Sequence, residues 1–136
     1  EDRSRFAVPA AKLGVGYGFE GVKRLADLVG PSMVKEIFFT ARQFTADEAH
    51  EMGLVNRVMP VHMLSAYVAD YATRIAENAP LTMASIKAIT HELHKPDSDR
   101  DLARIEAMVT GCFESEDYVE GRRAFMEKRK PAFKGR

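Results

Sequence analysis

The chain has a single cysteine, Cys112, so it cannot close an internal disulfide, and a reducing compartment is expected. Glycine and proline are scarce, 9 and 6 of 136 residues, which excludes a collagenous or Pro/Gly-rich chain. No apolar run approaches the ~18–20 residues that a membrane span requires. No basic start followed by an apolar stretch marks a secretory signal. The chain opens Glu-Asp-Arg-Ser-Arg, not Met, and reads as a processed chain or a fragment. An excess of charge is missing too. The 20 Lys+Arg balance 20 Asp+Glu, which argues against broad non-specific nucleic-acid binding. The composition, 46% hydrophobic and 29% charged, excludes a disordered chain and suffices for one domain with a core.

The zero balance is a sum of unlike parts. Gly121–Arg136 carries seven basic residues and one acid, Glu127, a net +6, which leaves −6 on the remaining 120 residues. Glu114, Glu116, Asp117 and Glu120 form an acidic cluster just before it. A basic end on a neutral chain suggests an anionic partner. The plainer reading is a solvated helix end whose cations favour the C-terminal dipole.

Residues 1–17 lack helical periodicity, with Phe6-Ala7-Val8 a short candidate strand stopped by Pro9. Leu13–Gly21 is glycine-rich loop. Val22, Leu25, Leu28 and Val29 predict a helix ended by Gly30-Pro31, and Ser32 is a candidate cap for a second carrying Val34, Ile37 and Phe38. Thr45-Ala46-Asp47-Glu48 is a capping box for a short helix closed by Gly53. Leu54–Val58 is strand-like. Further helices are predicted from about His62 to Asn78, from Pro80 through Leu93, from Leu102 to Cys112, and after Ser115. Two isolated strands cannot make a stable sheet. The chain is therefore a helical bundle, or its strands complete a sheet made by other residues.

Chemistry-bearing patterns are few. Gly16-Tyr17-Gly18-Phe19-Glu20-Gly21 matches G-x-G-x-x-G, but no firm strand precedes it and no strand-end acid follows about twenty residues on. A glycine-rich turn entering a helix remains a good place for an anion or an oxyanion. His91-Glu92-Leu93-His94 has i, i+3 spacing, not the i, i+4 of H-E-x-x-H, and reads as surface histidines. Cys112 lies on an apolar stripe and reads as a buried, inert thiol. No nucleophile–base–acid set is recognisable, no metal site is expected, and the scattered methionines read as core filling.

Several stretches taken together carry a resemblance. They begin with Phe6-x-x-Pro9-x-x-x-Leu13-Gly14, Gly18 and Gly21 before Arg24-Leu25, and Val29-Gly30. Phe39-Thr40-Ala41-Arg42-x-x-Thr45-Ala46-x-Glu48-Ala49 and Gly53-Leu54-Val55-Asn56-x-Val58-x-Pro60 follow, then Ala79-Pro80 and Lys87. Ser115-Glu116-Asp117-x-x-Glu120-Gly121-x-x-Ala124-Phe125-x-Glu127-Lys128-Arg129-Lys130-Pro131-x-Phe133 completes the set. In order and spacing these resemble the enoyl-CoA hydratase (crotonase) family along nearly the whole chain. The resemblance implies an α/β crotonase-type (ClpP-like) spiral fold, of which this chain is the C-terminal half, mainly helical with a few short strands. Residues 1–60 would finish the spiral core and carry an active-site loop. Residues 61–136 would be the helical trimerisation region of a homotrimer or dimer of trimers, and the missing N-terminal half would be a partner. Neither a nucleic-acid nor a membrane partner is expected. Cytoplasm, or the mitochondrial matrix in a eukaryote, is the implied place.

The implied chemistry is stabilisation of a thioester enolate, with an acyl-CoA as substrate and no separate cofactor. Two backbone N–H groups form an oxyanion hole in the family, and two glutamates of the hydratases activate the water added to a 2-enoyl-CoA. The second glutamate follows the proline of F-x-x-P, and here that position is Ala10, which moves no proton. The family loop is commonly P-G-x-G-G. Here it reads Tyr17-Gly18-Phe19-Glu20-Gly21, with Gly18 carried over as a substrate-binding position. Glu20 is then a candidate catalytic stand-in for the lost acid, or a surface acid favoured by a helix dipole. Phe125 carries over as the contact to the adenine of CoA and Lys128 as the contact to its phosphates, and their spacing of three predicts one helical face. Hydratase-like action is the first expectation. Isomerisation, decarboxylation or thioester hydrolysis, or a non-catalytic oligomerisation and CoA-gripping piece, are the alternatives. A fragment with an open sheet edge should be a poor monomer.

Overall fold

The structure, a computed structural model, describes all residues, Glu1–Arg136. Its elements run β1 (Arg5–Phe6), α1 (Ala10–Leu13), α2 (Phe19–Thr40), β2 (Phe44–Thr45), α3 (Ala46–Glu51), α4 (Val61–Ala76), α5 (Pro80–Glu92), α6 (Leu102–Glu114) and α7 (Glu116–Met126). A single 3-10 turn, Asp97–Asp99, precedes α6. The chain divides into two compact units, Glu1–Val68 and Ala69–Arg136, with the boundary inside α4.

In the first unit β1 pairs antiparallel with β2, Arg5 opposite Thr45 and Phe6 opposite Phe44. The strand expected at Leu54–Val58 does not form. The amides of Leu54 and Val55 instead bond the Ala49 carbonyl at 2.8 and 3.2 Å, closing the end of α3. A donor spent on a helix end is lost to a ladder. The single turn α1 lies in a stretch expected to be irregular. Four residues are too few to show a period, and Gly14, left-handed at φ 64°, ends the turn by donating to the Ala10 carbonyl.

α2 is interrupted at Gly30, whose φ of 79° and ψ of 157° are not helical. Two helical segments meet there, as the sequence predicts, but Gly30 with Pro31 makes the junction, not Ser32. Proline suits the first position of the second segment because its missing N–H has no partner there to lose. The capping box forms: the Thr45 hydroxyl accepts the Glu48 N–H at 3.2 Å, and the Glu48 carboxylate accepts the Thr45 N–H at 2.7 Å. Arg42 ties this box to α2, reaching Glu48 at 2.8 Å and Glu36 at 2.9 Å. Its guanidinium sits 3.7 Å from the ring centroid of Phe44, the largest fully buried side chain. The Thr45 amide, then Arg42, hold the Glu48 carboxyl below the usual carboxylate range.

α4 has the amphipathic pattern predicted for it, yet none of its residues is buried. In the second unit α5 packs on α6, and α6 adjoins α7. Pro80 opens α5, Asp101 caps α6 by accepting the Arg104 N–H, and Ser115 caps α7 by accepting the Tyr118 N–H. The buried carboxylate of Glu92 organises the α5–α6 turn, accepting from Lys95 Nζ at 2.8 Å and the Asp101 N–H at 3.0 Å. The Lys95 ammonium and then that amide lower its carboxyl from the usual range. His91-Glu92-Leu93-His94 thus contains a structural acid between two exposed histidines.

The core is thin. Of eight buried apolar residues five are alanine, and only Ala124 belongs to the second unit. Twenty large apolar residues are exposed, among them Phe19, Phe39, Phe113 and Phe125. No helix is long and apolar enough to cross a membrane.

Candidate functional site

Gly18 and Glu20 come together at the start of α2. Gly18 is its N-cap, extended at φ −70°, and Glu20 lies in the first turn, exposed and with no hydrogen bond or ion pair. A Cβ at Gly18 would meet nothing within 4 Å, so neither its backbone angles nor its neighbours require glycine. Ala10 is buried at the first position of α1. Around the loop, Leu13, Val15 and Phe19 are exposed, while Tyr17 stacks edge-on against Phe38 at 5.0 Å.

In the second unit Phe125 and Lys128 come together in the turn that ends α7. Their common helical face is not what joins them, because the helix stops at Met126. Lys128 follows it in the left-handed region at φ 52°. Its N–H donates to the Phe125 carbonyl at 3.2 Å, and the Arg129 N–H donates to the Ala124 carbonyl at 3.0 Å. These two bonds make a Schellman turn, with lysine at the position glycine usually fills. Phe125 is 83% exposed, and Lys128 is exposed and makes no ion pair.

Most of the basic tail is neutralised from within. Arg123 and Arg129 pair with Glu120, Lys130 with Glu77 and Arg136 with Glu116. Arg122 lies over the Tyr118 ring at 5.7 Å. Glu116 and Glu120 of the acidic cluster thus partner three of the tail's arginines, although the two runs are separate in the sequence. Lys128 and Lys134 are the tail cations left without a carboxylate or a ring.

The buried carboxylate of Asp117 straps the chain end to α7. It accepts the N–H groups of Lys134 and Gly135 at 2.6 and 2.7 Å, and the Asp117 N–H donates to the Arg136 carbonyl at 3.3 Å. The strap at Asp117 and the Glu120–Arg129 pairing go beyond what the sequence predicts for these residues. Their signal, S-E-D-x-x-E, is visible in the sequence as an acidic cluster and as part of the family motif, but neither shows what these carboxylates hold.

Beside the tail an open apolar groove of about 620 Å³ is lined by Leu81, Ile86, Ile89, Phe113, Phe125 and Phe133, among others. Cys112 lies in its wall, half-buried, not sealed in the core as its place on the apolar stripe suggested.

Comparison with known proteins supplies the rest. The family model described as enoyl-CoA hydratase/isomerase matches residues 1–136. A methylmalonyl-CoA decarboxylase of Escherichia coli is 40% identical over 135 residues, 97% of this chain and 51% of that protein. A crotonyl-CoA hydratase of Syntrophomonas wolfei is 41% identical over 131 residues, 96% of this chain and 50% of that protein. Among solved structures, an enoyl-CoA hydratase of Bacillus anthracis superposes with a TM-score of 0.82 at 32% identity, covering 99% of this chain and 52% of the other. An enoyl-CoA hydratase/carnithine racemase of Magnetospirillum magneticum gives 0.84 at 34% identity, covering 97% and 49%. The chain thus spans about half the length of the curated relatives it matches. Its fold is the crotonase type, seen here as a mainly helical portion with two short strands, and the chain belongs to the enoyl-CoA hydratase/isomerase family.

Proposed function

We propose that this chain is the C-terminal half of an acyl-CoA enzyme that adds water to a 2-enoyl-CoA through a stabilised thioester enolate. The observation that carries the reading is the family match over the whole chain, with relatives named crotonyl-CoA hydratase and short-chain-enoyl-CoA hydratase. The turn after α7 fits it, offering an exposed aromatic face at Phe125 and an unpaired cation at Lys128 for the adenine and phosphates of CoA. Gly18, at the open start of α2, lies against the acyl portion in this reading, and the acyl-CoA is substrate, with no separate cofactor.

Residues 1–60 finish the spiral core, and residues 61–136 form the region that assembles a homotrimer or a dimer of trimers. The exposed apolar residues of α4 to α7 support an assembly that covers them. We place the protein in the cytoplasm, or in the mitochondrial matrix of a eukaryote, with no nucleic-acid or membrane partner.

A second reading, decarboxylation of an acyl-CoA, is favoured by Ala10 and by the 40% identity to a methylmalonyl-CoA decarboxylase. Alanine moves no proton, whereas loss of CO2 yields an enolate without removing one. Glu20 takes the acid's part in the hydratase reading and has none in the second. The intact protein assayed with crotonyl-CoA and with methylmalonyl-CoA decides. Hydration lost in Glu20→Gln supports the first reading. CO2 release without hydration supports the second. Turnover of neither overturns both.

A further inference from the structure

Lysine at the left-handed position of a Schellman turn runs against conformational preference. The left-handed region crowds Cβ against the following carbonyl, and glycine is the usual occupant. Only Ala41 and Lys128 among the non-glycine residues have positive φ. Such strain persists where surrounding contacts over-determine it, and it concentrates where a side chain has work to do.

The contacts that over-determine Lys128 are visible. The next residue, Arg129, is gripped by Glu120 through both terminal nitrogens of its guanidinium, Nη1 to Oε1 at 2.6 Å and Nη2 to Oε2 at 3.1 Å, while its Nε donates to Glu127. Glu120 also accepts the Ala132 N–H at 3.0 Å and Arg123 at 2.6 Å, and its side chain is 12% exposed. The turn is pinned by its own backbone bonds at one side and by Glu120 at the other. What the turn projects is the one charged side chain in it that pairs with no carboxylate.

We propose that Glu120 is a positioning residue for nucleotide binding: through Arg129 it holds the left-handed turn that presents Lys128, beside Phe125, to the phosphates of a CoA thioester. The inference rests on Phe125 and Lys128 being the nucleotide grip. Glu120 touches no ligand. Its effect passes through the turn, so it should act on the nucleotide portion and not on the acyl end.

The test compares two ligands on the intact protein by calorimetry, butyryl-CoA and butyryl-pantetheine, which lacks the nucleotide. Lys128→Ala and Glu120→Gln should each weaken butyryl-CoA about tenfold, the size of a lost charged hydrogen bond, and leave butyryl-pantetheine unchanged. The double variant should be no weaker than Lys128→Ala alone, because the clamp acts only through that side chain. Arg129→Gln breaks the same clamp from the other side and decides the matter if Glu120→Gln does not fold. Unchanged butyryl-CoA affinity in the clamp variants, with Lys128→Ala weakened, overturns the inference but leaves the grip standing. An equal loss for both ligands also overturns it, since that is general loosening. No effect of Lys128→Ala removes the grip itself, and the inference with it.

Discussion

Arg129 and Glu120, nine residues apart, meet edge to edge, with guanidinium–carboxylate distances of 2.6 and 3.1 Å. Arg129 first, then Arg123 and the Ala132 amide, hold the Glu120 carboxyl well below the usual carboxylate range. A carboxyl lowered in the folded state contributes stability that is fully present above its unfolded value, about 4.3. That contribution is lost as pH falls through the folded value. Melting of the intact protein and of Glu120→Gln should therefore differ by a constant amount from pH 7 to about 5. The gap should shrink steadily at lower pH. A gap that widens on acidification would contradict the assignment.

Lys128→Gly separates stability from binding. Glycine relieves the left-handed backbone at φ 52°, so the variant should be more stable by up to about 1 kcal/mol, less what glycine adds to the freedom of the unfolded chain. It should bind CoA more weakly, because the cation is gone. Thermal melting and calorimetric titration check the two halves. A clear loss of stability would show that the lysine side chain holds the turn.

Asp117→Ala strands the amides of Lys134 and Gly135, now bonded at 2.6 and 2.7 Å. Losing these bonds at a buried position should cost about 2 kcal/mol. Hydrogen exchange at those two amides should quicken before exchange within α7 does. Simultaneous loss of protection throughout α7 would show that the strap and the helix are one cooperative unit.

Gly30→Ala puts a Cβ where φ is 79°, a conformation alanine reaches only with strain. The expected cost is about 1–2 kcal/mol, read as a lower midpoint in urea. Ser32→Ala should cost little, since Gly30, not Ser32, forms the junction.

Local rules carried far in this chain. The Thr45–Glu48 capping box, Ser115 before α7, Pro80 at the start of α5 and the break at Gly30-Pro31 are short-range chemistry, and each is legible in a few letters. What needed the structure was where an element stops and which separate runs meet. Leu54–Val58 has a strand's composition, but Ala49 takes its first two amides. Phe125 and Lys128 have helical spacing, but the helix ends between them. The acidic cluster and the basic tail are separate runs in the sequence. Glu120 and Asp117 join them across a turn that periodicity does not reveal. Of the candidate site, the residue types were legible, while the clamp behind Lys128 was not.

We propose above that this chain serves a protein that binds a CoA thioester and stabilises its enolate. Titration of the intact protein with acetoacetyl-CoA tests it most directly, because that thioester absorbs differently as its enolate. Saturable binding with a rise in enolate absorbance, weakened in Lys128→Ala, is the expected result. Failure to bind, or binding with no change in the enolate band, would contradict it.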